Sequence, residues 1–277
     1  IVIGMTVVSF ATSAPELIVS IKSALKGYPD LALGNVVGSN IANLAFVLGV
    51  ILIISPIRVT KSFYKTDWPI MMIATLLFYS FLQADGYLSQ VEGGILFVLL
   101  LIFLIYLLFF QKKAVIEEKV EIDEKEMLLT QLTFIFFAGG FFLWLGSEVL
   151  VNSAVSLATS LGISERIISI SVVSIGTSIP ELSASIIAII NKEKAISIGN
   201  LIGSNIFNIL AVMGITAMIH PISVMDREIL DIDFFWMILV SLLIFPLVFI
   251  PKKMRLGRLE GFCLLIIYGL FLNQMFT

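Results

Sequence analysis

The sequence is short of the residues that build most metal centres. A single cysteine, Cys263, excludes an intrachain disulfide and any cysteine-based cluster. A single histidine, His220, excludes multi-histidine sites. It stands before Pro221 at the end of an apolar run and reads as an interfacial residue. Charge is scarce too: 13% of residues are charged and the formal net charge is -3, so no basic excess points to nucleic acid. Soluble domains carry charge on about a quarter of their residues. Apolar side chains take that place, at 59% of 277 residues with a mean hydropathy of +1.08. Such a chain cannot cover its surface with polar groups, so its solvent is a lipid bilayer.

A bilayer core takes about 20 apolar residues per helix. Nine segments answer to that length: 1–24, 31–54, 68–83, 91–110, 129–158, 165–190, 195–219, 232–250 and 259–276. The first has neither the basic flank of a signal peptide nor an initiator Met, and it carries Pro15 and Glu16 in mid-run. It is read as a membrane helix, and Ile1 as a start inside a longer sequence.

Lys and Arg favour cytoplasmic loops, and here they alternate between loops. One set holds Arg58, Lys61 and Lys65; Lys112, Lys113, Lys119 and Lys125; Lys192 and Lys194; and Lys252, Lys253, Arg255 and Arg258. The other holds only Lys26, Arg166 and Arg227. The first set is assigned to the cytoplasm. The one long charged run, Gln111–Glu126, then reads as a cytoplasmic linker, giving units at 1–110, 111–128 and 129–277.

The two outer units repeat each other. Residues 3–57 align without a gap on 168–222 at a constant offset of 165. The matches include Thr12/Thr177, Ser13/Ser178, Pro15/Pro180, Glu16/Glu181, Asn35/Asn200, Gly38/Gly203, Ser39/Ser204, Asn40/Asn205 and Asn43/Asn208. Shared apolar composition would match Leu with Leu rather than these polar, Gly and Pro positions. The offset spans five segments, an odd number, so the copies run in opposite directions across the membrane. Inverted repeats with broken helices and a midplane site are typical of secondary transporters. The segment at 129–158 precedes its repeat and has no counterpart before residue 1, so a further leading helix is expected.

Glu16 and Glu181 sit deep in apolar runs, where a carboxylate is costly and marks function. At helical spacing Ser9, Thr12, Ser13, Glu16 and Ser20 form one stripe, and Ser174, Thr177, Ser178, Glu181 and Ser185 form its copy. Asn35, Ser39 and Asn43 make a third stripe and Asn200, Ser204 and Asn208 a fourth. Pro15 and Pro180 cannot donate to the carbonyls of Ala11 and Gly176, one turn from each Glu. Gly34, Gly38, Gly199 and Gly203 allow close helix approach. The inventory is carboxylate, hydroxyl, amide and backbone oxygen. Hard cations take such ligands, and Ca2+ accepts several of them at flexible geometry. Two ionised Glu would neutralise one Ca2+ or two Na+.

Gly-Thr-Ser-Ile-Pro-Glu at 176–181, Ala-Thr-Ser-Ala-Pro-Glu at 11–16 and the two Gly-Asn-x-x-Gly-Ser-Asn-Ile-x-Asn stretches at 34–43 and 199–208 resemble the alpha repeats of cation/Ca2+ exchangers. The chain is similar to prokaryotic sodium/calcium antiporters. The resemblance implies an all-α, polytopic fold of two inverted repeats, with ten helices where nine are seen. It implies ion ligands at Glu16, Thr12, Ser13, Ser39 and Asn43, and at Glu181, Thr177, Ser178, Ser204 and Asn208, joined by backbone oxygens near Ser9 and Ser174. It implies Ca2+ and Na+ as substrates, no cofactor and a site in the prokaryotic plasma (inner) membrane. Glu148, in Gly-Ser-Glu at 146–148, resembles an acidic position of the family's gating helix and reads as interfacial. Several members carry Asp where Asn208 stands, so the site here is more symmetric.

The expected function is Na+-driven Ca2+ exchange by alternating access, a leading helix pair sliding over a rigid core. H+/Ca2+ exchange and K+-dependent exchange are the alternatives within transport. An intramembrane enzyme is disfavoured: no His or Lys base accompanies Ser13 or Ser178, and two-acid membrane proteases use paired Asp. A channel is disfavoured because paired carboxylates in broken helices suit tight coordination better than rapid exit.

Overall fold

The computed structural model describes residue 6 and residues 8–110, 129–251 and 254–275. The charged run Gln111–Glu126, with Lys112, Lys113, Lys119 and Lys125, lies outside the described residues, as do Lys252 and Lys253.

Each apolar segment becomes helix, and the polar segments of the repeats become interrupted helix. The first is α1 (Ser9–Thr12) and α2 (Ala14–Leu25). The second is α3 (Pro29–Ile41), a π-helical turn Ala42–Val47 and α4 (Leu48–Ile54). A π-helical turn Phe63–Asp67 opens α5 (Trp68–Asp85), and α6 (Gln90–Phe110) ends the first half. The second half starts with α7 (Leu129–Leu161). Then come α8 (Glu165–Ile168), a π-helical turn Ser169–Val173, α9 (Ser174–Thr177) and α10 (Ile179–Ile190). After α11 (Lys194–Phe207), a π-helical turn Asn208–Met213 leads into α12 (Gly214–Ile219). A π-helical turn Ile229–Asp233 opens α13 (Phe234–Phe249), and α14 (Arg258–Met275) is last. By length and composition, Pro29–Ile54, Gln90–Phe109, Glu165–Ile190, Ile196–Ile219 and Ile229–Phe249 meet the requirement for crossing a bilayer.

The entry turns of the third and eighth helices start five and three residues before the apolar runs at 68 and 232. Hydropathy hides these turns because they hold Tyr64, Lys65 and Asp67, and Asp231 and Asp233. Asp67 and Asp233 are nevertheless buried.

Polarity is arranged for a lipid solvent. Val91, Ile95, Val98, Ile102 and Ile105 make an exposed apolar stripe on α6, and Phe262, Ile266 and Leu270 make another on α14. Glutamate, asparagine, serine and threonine occupy the interior instead, in α1, α2, α3, α9, α10 and α11. Glycines set the tightest packing. A Cβ on Gly49 would meet the Gly261 carbonyl at 3.1 Å, joining α4 to α14. A Cβ on Gly93 would meet the Gly214 carbonyl at 2.7 Å, joining α6 to α12. Gly49 and Gly214 are repeat equivalents, so one crossing is used twice.

Four two-residue strands close the ends of the bundle. β1 (Ile57–Arg58) pairs antiparallel with β4 (Arg255–Leu256), and β2 (Tyr87–Leu88) with β3 (Ile222–Ser223). β1 and β3 are repeat equivalents, so each half lends a strand to the other. α5 separates β1 from β2, which puts the pairs at opposite ends of the bundle. Loops assigned to one side by their basic residues also meet there: Lys194 Nζ donates to the Pro56 carbonyl at 3.1 Å beside β1. On the other side the Asp30 carboxylate accepts from the backbone of Met225 and Asp226, at 2.9 and 2.7 Å. Arg166, fully buried, donates to both Asp233 oxygens at 2.6 and 3.1 Å and to Glu228, riveting α8 to the start of α13.

Most buried apolar residues form one large cluster spanning both halves. α7 docks on a separate small one: Val151, Ala154 and Ala158 against Val19, Leu31, Ile168 and Val173. Its polar neighbour Glu148 accepts from Lys22 at 3.1 Å and from Lys26. Glu148 thus binds lysines at the α2–α7 contact.

Candidate functional site

Proline breaks the first and sixth segments at equivalent points. Pro15 and Pro180 open α2 and α10, leaving Ser13 at φ -84° and ψ 4° and Ser178 at φ -84° and ψ 0°, out of helical register. The stripes are therefore bent at the serine, and each carboxylate sits in the first turn after the break. Glu16 and Glu181 are both fully buried.

The breaks cross the helices of the opposite repeat. Thr12 donates to Asn200 Oδ1 at 3.3 Å and lies 3.2 Å from the Ser204 hydroxyl. Thr177 donates to Asn35 Oδ1 at 3.1 Å and lies 3.2 Å from the Ser39 hydroxyl. These are the same contacts with the repeats exchanged. Asn35 Nδ2 in turn holds the Glu16 carbonyl at 3.2 Å and Ser20 at 2.9 Å, and Asn200 Nδ2 holds Ser185 at 3.4 Å. Close approach makes these bonds possible: a Cβ on Gly38 would stand 2.8 Å from Ser174 Cβ, and one on Gly34 2.8 Å from Ser169 Cβ.

All twelve predicted ligand residues are buried around these crossings, but they differ in what they already hold. The Ser9 carbonyl accepts from Ser13 N at 3.0 Å and Thr12 Oγ1 at 3.4 Å. The Ser174 carbonyl accepts from Ser178 N at 3.0 Å, Thr177 at 3.3 Å and Ser39 at 3.5 Å. Ser13 donates to Glu181 Oε1 at 3.4 Å. By contrast both oxygens of Glu16, Oε2 of Glu181, the Ser178 hydroxyl, both amide ends of Asn43 and Oδ1 of Asn208 are buried without a protein partner. Buried polar groups are normally hydrogen-bonded. The unpartnered atoms include carboxylate, hydroxyl and amide oxygens, the ligand types that hard cations take.

Asn40 and Asn205 were visible in the sequence as repeated residues yet fall outside the predicted ligand stripes. The structure joins them: Asn40 Nδ2 donates to the Asn205 carbonyl at 3.4 Å and Asn205 Nδ2 to the Asn40 carbonyl at 3.0 Å. Their signal was identity at both repeat positions one residue off the polar stripe. Asn43 and Asn208 each lie in a π-helical turn, a distortion frequent at functional sites.

The chain is similar to known proteins over nearly its whole length. The family model described as sodium/calcium exchanger protein matches residues 1–109 and 131–276. The inner membrane protein YrbG of Escherichia coli (strain K12) is 36% identical over 273 residues, covering 94% of this chain and 82% of its own. The sodium/calcium exchanger MaX1 of Methanosarcina acetivorans is 30% identical over 315 residues, covering 99% and 88%. The solved structure of the sodium-calcium exchanger NCX_Mj, soaked with Na+ and Sr2+, superposes with a TM-score of 0.71 at 27% identity, over 98% of this chain and 86% of that one. Its family's members are transporters and not enzymes, and its antiporter relatives share the all-α polytopic membrane fold; the chain belongs to the sodium/calcium exchanger family.

Proposed function

We propose that this antiporter exchanges Na+ for Ca2+ at the crossing of the two proline breaks. The observation that carries the reading is the set of buried, unpartnered oxygens on Glu16, Glu181, Ser178, Asn43 and Asn208. Two carboxylates match the charge of one Ca2+ or two Na+, so either cation load leaves the interior near neutral. The hydroxyls of Thr12, Ser13, Ser39, Thr177 and Ser204 line the same crossings and keep lone pairs for an ion, as do the carbonyls of Ser9 and Ser174. The names of MaX1 and NCX_Mj support Na+ and Ca2+ as the substrates. Exchange needs no cofactor beyond the ions carried.

The units of this reading are the repeats 1–110 and 129–277, joined by a cytoplasmic linker, in the plasma (inner) membrane of a prokaryote. The name of YrbG supports that location. Alternating access suits the packing: among the described residues, α7 rests on its own small apolar cluster and a lysine–glutamate contact. It can slide along α2 while the site helices stay fixed.

The test is Ca2+ uptake into proteoliposomes of the full-length protein. Uptake driven by internal Na+, and not by a pH gradient or by K+ alone, is expected. Uptake driven equally by a proton gradient in the absence of Na+ would replace this reading with H+/Ca2+ exchange.

A further inference from the structure

We propose that Asn40 and Asn205 are positioning residues that decide which end of the Asn208 and Asn43 amides faces the ion. The inference rests on the ion site proposed above. An asparagine amide has an oxygen at one end and an NH2 of similar size at the other. A cation binds only the oxygen, so an amide ligand is useful only if something holds its NH2 end away.

At Asn208 that device is in place. Its Nδ2 donates to Asn40 Oδ1 at 3.1 Å, which leaves Asn208 Oδ1 as the free, buried end. The Asn40 amide cannot turn over to offer NH2 instead, because its own Nδ2 is committed to the Asn205 carbonyl at 3.4 Å and faces Met237 Sδ at 3.8 Å. A flip of Asn208 would set two oxygens face to face, and a flip of Asn40 would set two NH2 groups face to face. The orientation of the ligand is thus set one residue removed, from a backbone carbonyl that does not rotate.

The other half holds the same device in a different state. Asn205 Nδ2 is committed to the Asn40 carbonyl at 3.0 Å, so Asn205 Oδ1 is held as a fixed acceptor. That oxygen has no partner, and neither does Asn43 Nδ2, its repeat-equivalent donor. All four asparagines are fully buried. One amide is locked with its oxygen forward, and the other is free to lock. Asn205 is the counterpart that closes on Asn43 when an ion draws the Asn43 oxygen forward. The reciprocal Asn40–Asn205 bonds lie on the local two-fold relation between the repeats, which ties the two locks to one framework.

The experiment measures Ca2+ dependence of Na+-driven uptake in proteoliposomes of the full-length protein. The variants are Asn40→Ala, Asn208→Ala, Asn208→Asp and Asn40→Ala with Asn208→Asp. Groups that orient a metal ligand are typically worth on the order of tenfold in affinity. Asn40→Ala is expected to raise the Ca2+ KM by that factor with a smaller change in kcat. A carboxylate has oxygen at both ends and needs no orienting. In the Asn208→Asp background, removal of Asn40 is therefore expected to change KM by less than about twofold, a departure from additivity. The same factor in both backgrounds would make Asn40 merely structural and overturn the proposal. Where Asn40→Ala fails to fold, Asn40→Leu, close in volume and with no acceptor for Asn208, replaces it in both backgrounds. Its expected factors are the same, about tenfold beside Asn208 and less than about twofold beside Asn208→Asp, and an equal factor in both would overturn the proposal. An unchanged KM in Asn208→Ala would remove Asn208 from the ion site, refuting that reading and this one with it.

Discussion

Replacing Gly38 by alanine tests the site through its packing alone. Gly38 precedes Ser39 where α3 crosses the turn Ser169–Val173. An added Cβ would stand 2.8 Å from both Cβ and Oγ of Ser174 and 2.9 Å from the Ile170 Cα. Rotation of Ser174 relieves only the Oγ contact. Cβ and Cα move with the backbone, so the helices must separate by roughly 0.7–1 Å to restore ordinary carbon contact. Overpacking of this kind costs about 1–3 kcal/mol. The displacement falls on the Ser174 carbonyl and on Thr177, 3.5 and 3.2 Å from the Ser39 hydroxyl. Misplacement by about 1 Å can cost roughly 100-fold in a positioned reaction. Gly38→Ala is therefore expected to lower the melting temperature in detergent and to cut Ca2+ uptake by roughly 10- to 100-fold. Gly176→Ala is the control. A Cβ there meets nothing within 4 Å, and alanine already stands at the equivalent Ala11. It should keep parental uptake and gain up to about 1 kcal/mol from helix propensity. Parental uptake and melting in Gly38→Ala would show that this crossing is looser than described and that ligand placement does not depend on it.

Glu16→Gln and Glu181→Gln should each abolish Ca2+ uptake in proteoliposomes while elution and melting stay near parental. The attraction lost is on the order of several kcal/mol even at an effective dielectric near 20, and near-normal flux would remove that residue from the site. Asn208→Asp should make Ca2+ uptake more sensitive to acid, because protons compete for an added carboxylate beside two others; superimposable pH profiles would show that Asn208 does not face the ion. Arg166→Met strands the buried Asp233 and should cost about 3–5 kcal/mol, with recovery when Asp233→Leu is added. Detergent melting curves read that pair, and an additive outcome would contradict the rivet.

The repeat was legible because its polar residues recur at one offset, and the structure places Thr12 against Asn200 and Ser204 as it places Thr177 against Asn35 and Ser39. Loop charge likewise grouped the loops that meet at each end of the bundle. The starts of the entry turns of α5 and α13 were not legible, because hydropathy cannot tell Asp67 or Asp231 within a helical turn from a loop carboxylate. The partner that buries Asp233, Arg166, is 67 residues away in sequence. The Asn40–Asn205 pairing was hidden for a related reason. A residue's identity shows that it is repeated, while its partner across the molecule depends on how two halves cross. The π-helical turns at Asn43 and Asn208 have no sequence mark, since a wider turn uses the same residues as an ordinary one.

The exchanged strands constrain how the chain comes to be made. β2 pairs with β3, and that pair is nested between β1 and its partner β4. During synthesis Ile57 emerges early and finds nothing to bond until Leu256 has been translated and its helix inserted. Tyr87 waits for Ser223 in the same way. The inner pair must close first and the outer pair last, at the other end of the bundle. A chain halted anywhere before residue 255 therefore leaves the edge of β1 bare.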